Sequence, residues 1–252
     1  MDSAFVPTHC SRMKKRGPLP LVAIGLLVLA STLAADPAAD SLKDRIVAHA
    51  RTVSAEDYAY TRTVKTETIE RDKTEERLVV ERWDPAKPVE QRWSLVSINA
   101  RPPTEEQLKN YRKDLPKRRQ AYYGRVAGYF AKPATSSIDA RGRTVFRFAS
   151  LPKETVMVRD ADISANAGGE VVVDATGAVP FIEEVRFSST KPTRVKLVAK
   201  IERFETTTRY RMMPDGKPVP IELASEMSGS MMGQEGRIRT RITYTDHRPV
   251  GR

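Results

Sequence analysis

Arg62 and Arg82 are the residues whose types and spacing point most directly at a ligand. Each lies in an alternating stretch, Arg62 with Tyr58, Tyr60 and Val64, and Arg82 with Leu78 and Val80; the polar turn Arg71-Asp72-Lys73 joins the two. A three-residue turn there sets Val64 opposite Val80, Glu67 opposite Arg77 and Arg62 opposite Arg82. Directly opposed like charges are unfavourable unless something answers them. A phosphate or carboxylate headgroup would do so, because guanidinium groups bind such oxygens bidentately. Alternatively, the hairpin projects past the core and both arginines reach solvent over their apolar stems.

Six methionines, Met157, Met212, Met213, Met227, Met231 and Met232, crowd the second half of the chain. Core packing, the lining of a cavity that adapts to acyl chains, and thioether ligation of Cu(I) all remain open uses. Copper has little else to bind, since after the leader there is no Cys and only His49 and His247. His49 falls near the end of an amphipathic helix, a capping or surface position. His247 follows Asp246 at the end of the last strand, where neighbours point to opposite faces and the acid does not orient the base. There is no Gly-x-Ser-x-Gly, no His-Glu-x-x-His and no phosphate loop, so no nucleophile comes with a positioned base. Neither an enzyme nor a cofactor nor a resident metal is expected.

The elements that must position these residues begin after a leader. Arg12, Lys14, Lys15 and Arg16 precede the apolar run Leu19 to Ala30 and then Ser31-Thr32-Leu33-Ala34-Ala35. This is the pattern of a cleavable secretory signal, cut after Ala34 or Ala35, and the run is shorter than the roughly 20 residues that span a bilayer. A single domain, residues 35–252, is then expected outside the cytoplasm, periplasmic or secreted, as a soluble monomer. Removing the leader's four basic and one acidic residue from 43 and 32 leaves 39 and 31, a surplus of eight positive charges. Such a surplus suits anionic membrane surfaces or acidic envelope partners; an exported protein does not meet nucleic acid. With no thiol after the leader, stability rests on a hydrophobic core.

Ser41 to Val53 has helical spacing, with Leu42, Ile46, Val47 and Ala50 on one face. From Asp57 the period becomes two. Strands are predicted to Ile69, from Leu78 to Trp83, and over Gln91 to Ile98 with Trp93 and Leu95 on one face. Thr104 to Arg119 interrupts as a basic helix opened by a Thr104/Gln107 capping box and ended by Pro116. Ala121 to Ala131 forms a helical turn or two. Strands resume over Thr144–Ala149, Thr155–Val158, Glu170–Asp174, Phe181–Ser188, Thr193–Thr206, Thr208–Met213, Ile221–Met227 and Gln234–Thr245. Val195, Leu197, Ala199 and Ile201 oppose Arg194, Lys196, Val198 and Lys200, and Ile238, Ile242 and Tyr244 oppose Arg237, Arg239 and Arg241, so one face is apolar and the other strongly basic. About eleven strands curl rather than lie flat. The fold class is therefore mainly β (α+β): a curved antiparallel sheet forming an incomplete barrel, with helices on its concave face.

This order of elements, the stretch Met213-Pro214-Asp215-Gly216-Lys217-Pro218-Val219-Pro220 and the ending Thr243-Tyr244-Thr245-Asp246-His247-Arg248 resemble the periplasmic lipoprotein carriers and outer-membrane lipoprotein-sorting proteins. Trp93 to Thr104 is similar to a strand-to-helix junction of their relatives. The resemblance implies an unclosed barrel with a helical lid and an apolar cavity for the acyl chains of a lipid or acylated lipoprotein. Such a cavity would draw on Tyr58, Tyr60, Arg62, Val64, Leu78, Val80, Arg82, Trp93, Leu95, Val195, Leu197, Met227, Met231, Ile238 and Ile242. The rivals are an extracytoplasmic structural or regulatory module with a filled core, and a Met-based metal-binding protein.

Overall fold

The computed structural model describes residues 37–71, 73–115, 122–158, 161–195 and 199–251. The leader 12–35 and Leu197 lie outside the described residues. From Ala35 onward the chain forms one compact unit.

The chain enters as α1 (Pro37–Thr52), with Asp40 in its first turn and His49 and Arg51 in its last, matching the helix dipole. Three strands follow: β1 (Tyr58–Glu70), β2 (Lys73–Trp83) and β3 (Trp93–Ile98). Next come α2 (Glu105–Asp114) and a 3-10 segment, Tyr123–Ala131. The remaining strands are β4 (Thr135–Ile138), β5 (Thr144–Phe148), β6 (Met157–Val158), β7 (Ala161–Asp162), β8 (Ala167–Asp174), β9 (Phe181–Ser189), β10 (Thr193–Val195), β11 (Ala199–Met212), β12 (Pro218–Met231) and β13 (Gln234–Pro249). The Thr104/Gln107 capping box makes both of its hydrogen bonds, and α2 stops ahead of Pro116.

Antiparallel pairing joins the strands in the order β3-β2-β1-β13-β12-β11-β9-β8-β5-β4, with β10 beside β11, while β6 and β7 form a separate ribbon. As the alternation predicts, this is one large antiparallel sheet, and it is not closed: β3 and β4 end it. The last strand lies against the first, so β1 and β13 both stand in the sheet's interior. Thr193–Thr206 divides into β10 and the start of β11, and β11 runs unbroken through Thr207, a β-branched residue that continues a strand. The short, hydroxyl-rich β4 escaped the pattern. Met232 (φ 53°) and Gly233 (φ 79°) make the two-residue turn between β12 and β13, where both central residues take positive φ.

One face of the sheet carries the helical pieces. Ile46 and Ala50 of α1, with Tyr123 and Val126 of the 3-10 segment, pack on Phe146, Val171, Val185, Phe187, Phe204 and Tyr210. A second cluster joins Tyr60, Trp83, Trp93 and Tyr244 to Tyr111 of α2. Ile46 is 0% exposed, so Ile46→Ala is expected to cost about 2–5 kcal/mol by creating a cavity, read as a lowered urea midpoint at unchanged slope.

Candidate functional site

The register places the sequence-predicted residues. Glu70 pairs directly with Lys73, so residues 71 and 72 alone connect β1 to β2, and Arg71 takes φ 53°. The three-residue turn expected from sequence is therefore one residue too long. A slip of one moves every side chain of β2 to the other face. Val64 opposes Val79, not Val80; Glu67 opposes Glu76, not Arg77; and Arg62 opposes Glu81, not Arg82.

Arg62 consequently has its counterion within the fold. Its Nε donates to Glu81 Oε2 at 2.8 Å, its Nη2 donates to the same oxygen, and its guanidinium stacks 4.2 Å from the Trp93 ring centre. The two side chains are 10% and 1% exposed. Tyr60, Trp83, Trp93 and Tyr244 enclose the pair, and burial pushes the Tyr244 hydroxyl up to about 12, so it stays neutral. Arg82 lies exposed between Thr61 and Ser94 on the opposite face, which Leu78 and Val80 share. The cationic pair is thus overturned.

The helix-bearing face of β1, β13, β12 and β11 holds the other candidates in transverse rows. One row reads Val79, Val64, Ile242, Leu223 and Thr208 and continues into buried Val185, Val171 and Phe146. Another reads Thr68, Ile238, Met227 and Phe204. Beneath α1 and the 3-10 segment Val185, Val171 and Phe146 are buried; toward β1 and β13 the rows are only half covered. Val64, Leu223, Met227 and Ile242 are half-buried, and Ile238 is 37% exposed. Leu95 joins the aromatic cluster and Val195 packs at the edge of the main core; the side chain of Met231 lies outside the described ones. Sequence reasoning missed Val79, Leu223 and Glu81. A two-residue turn, tried as the alternative, would have brought out Val79 and Glu81 by parity.

The six methionines do not share one place: Met212 and Met227 stand at opposite ends of β11 and β12. Met212 pairs with Pro218, nine positions before Met227 on β12, a separation of about 30 Å at the rise of a strand. His49 is no surface cap: its Nε2 lies 2.9 Å from the Gly216 carbonyl oxygen, tying α1 to the β11–β12 turn. His247 is not at a fraying end either, since β13 runs to Pro249. Its ring contacts Tyr58 and Tyr60, and Nε2 is sealed without a hydrogen-bond partner. A void of about 20 Å³, room for one water, lies against it between Val53, Tyr123 and Pro220. Burial, and then Arg211, hold the imidazole below its usual range, opposed by a hydrogen bond to the Pro220 backbone and by Asp246.

The other face is charged, but not uniformly basic. Arg147, Glu170, Arg186, Glu184, Arg209, Glu222 and Arg241 form a chain of alternating sign from β5 to β13. Arg239 bridges Glu67 at 3.2 Å and Glu226 at 3.1 Å, and Arg237 approaches Glu226 at 3.4 Å. Open grooves of about 580 and 670 Å³ run over this face and share Glu205. The first has walls of Lys65, Glu67, Arg203, Glu226, Arg239 and Arg241, which do not suit acyl chains; the second mixes Arg147, Glu170 and Arg186 with Pro133, Phe148 and Phe187.

No family model and no curated protein matches the chain. Among solved structures it is similar to a LolA superfamily protein from Nitrosomonas europaea, with 85% of this chain and 94% of that one covered at 11% identity. The TM-score is 0.31, too low to carry an argument.

Two outcomes follow from this geometry. Arg62→Leu leaves Glu81 buried without its guanidinium and should cost about 3–5 kcal/mol in chemical denaturation, against about 0.5 kcal/mol or less for exposed Arg82→Leu. For His247 the folded value lies below the unfolded one, so the unfolded chain takes up the proton first. Stability should fall as pH drops through about 6.5 and level off below the folded value. Denaturation midpoints measured between pH 8 and 5 should show this decline, and His247→Gln should flatten it.

Proposed function

We propose that the protein is an exported, non-catalytic carrier that shelters the acyl chains of a lipid or acylated lipoprotein on the helix-bearing face of its sheet. One observation carries the reading. The row Val79, Val64, Ile242 and Leu223 continues the buried core row outward to strands where it is only half covered. A face that needed nothing beyond its own helices would be packed throughout or polar where they end. Along the row of Val79, Val64, Ile242 and Leu223 this one remains apolar, so an acyl chain lying along that row would complete the core. Each buried methylene would contribute about 0.8 kcal/mol, and a short contact already retains a lipid. The ligand needs no covalent chemistry and no cofactor. The net positive charge of the chain would favour delivery at an anionic membrane surface.

A second reading, an interaction module with a filled core, draws on the dense packing beneath α1, where Ile46, Tyr123 and Val126 are fully enclosed. The two part on one experiment. Protein purified from its own compartment is examined by native mass spectrometry with lipid extraction, alongside Ile242→Asp. Co-purifying acyl lipid that is lost in the variant is the expected result. Wild-type protein that arrives empty and takes up no added lipid would sink the carrier reading and leave the interaction module.

A further inference from the structure

Between the two apolar rows of the helix-bearing face runs a third that is not apolar. Thr66 pairs with Thr240, Thr240 with Ser225, and Ser225 with Thr206, so four hydroxyl residues stand side by side on β1, β13, β12 and β11. At the β11 end the row passes to Phe187, and at the β1 end to exposed Arg77. Strands lie about 4.8 Å apart, so the stripe is about 14 Å long, with an apolar row about 7 Å to either side. All four residues are half-buried. Among the described residues, none of the four side chains hydrogen-bonds to another protein atom.

Thr and Ser on neighbouring strands commonly bond one another and so satisfy themselves. These do not, and valine would fill the same sites with equal strand preference and more apolar surface. Hydroxyls left open between the row of Val64, Ile242 and Leu223 and the row of Ile238, Met227 and Phe204 are suited to donate to an acceptor that arrives with an apolar ligand. A carbonyl at the head of an alkyl chain has that form: the chain follows the row of Val64, Ile242 and Leu223, and the oxygen meets the stripe.

Resting on the carrier reading, we infer that Thr66, Thr240, Ser225 and Thr206 form a subsite for the carbonyl linkage of an acyl ligand, so that the trough selects ester- or amide-linked chains over bare or ether-linked ones. The probes are lysophosphatidylcholine with an ester-linked chain and its ether-linked counterpart of equal chain length, below their micellar concentrations. These differ in the carbonyl alone. Binding is measured by native mass spectrometry and calorimetry for wild type and for Thr240→Val/Ser225→Ala, whose folding is checked by thermal melting.

The wild type should prefer the ester by about tenfold, the worth of one good hydrogen bond, and the double variant should bind both probes with the wild type's ether affinity. Equal binding of the two probes by the wild type overturns the subsite and leaves the carrier standing. So does an ester preference that survives in the double variant and in Thr66→Val/Thr206→Val. Failure of the wild type to bind either probe removes the carrier reading and the subsite together.

Discussion

Cross-strand register ties the side chains of eight neighbouring strands, β2 to β5 in the sheet's order, into rows that cross most of the sheet, and both faces follow from it. Val64 shares a face with Ile242 because they pair; Ile242 then shares it with Leu223, and so on to Phe146 on β5. The intervening positions form the opposite rows of Lys65, Arg241, Ala224 and Thr207. A slip at any one pairing would carry charges onto the helix-bearing face. Where the rows must bend, the ladder shifts, as between Ile201 and Arg203, and the backbones close in. A Cβ on Gly229 would meet the Lys200 carbonyl oxygen at 2.2 Å, so glycine alone fits that crossing.

Ion pairs hold the two faces in different ways. On the exposed face each pair is worth little by itself, about 0–1 kcal/mol, but the run from Arg147 to Arg241 joins six strands and disfavours any register that brings like charges together. Arg62 and Glu81 sit among aromatic rings, where a hydrophobic pair of equal volume would serve stability as well. What the ionic pair adds is a penalty on mispairing, because a one-residue slip of β2 would leave either charge buried alone.

The sequence made the sheet legible because period-two alternation survives through long strands, and it exposed the α2 cap because both partners of the box are local. It misplaced the site for one reason. The connection between β1 and β2 contains no Asn-Gly or Gly to announce a two-residue turn, and Arg71 adopts positive φ without any such signal. Parity alone then moved Arg82, Leu78 and Val80 to the wrong face. The charged face misled differently: arginines alternate visibly along β13, whereas the acids that answer them, Glu67, Glu222 and Glu226, stand on other strands. Local pattern reports which residues share a face of one strand; which strands meet is a property of the whole chain.

The covering of the apolar face is uneven for a structural reason. The helical pieces α1 and Tyr123–Ala131 pack on each other and on the half of the sheet from β5 to β11, where Phe146, Phe187 and Phe204 reach up to meet them. Toward β1 and β13 the side chains become shorter and branched, Val64, Thr66, Thr68, Thr240 and Ile242, and α2 adds Tyr111, with Leu115 just past its end, to the aromatic cluster at one end. Rigid packing therefore sits in one half of the face and accommodating surface in the other. On the proposed carrier reading the first would fix the fold without cargo, and the second would be apolar enough to take cargo in and open enough to release it. On that reading, further large side chains on β1 and β13 would stabilise the empty protein at the expense of the space a ligand needs.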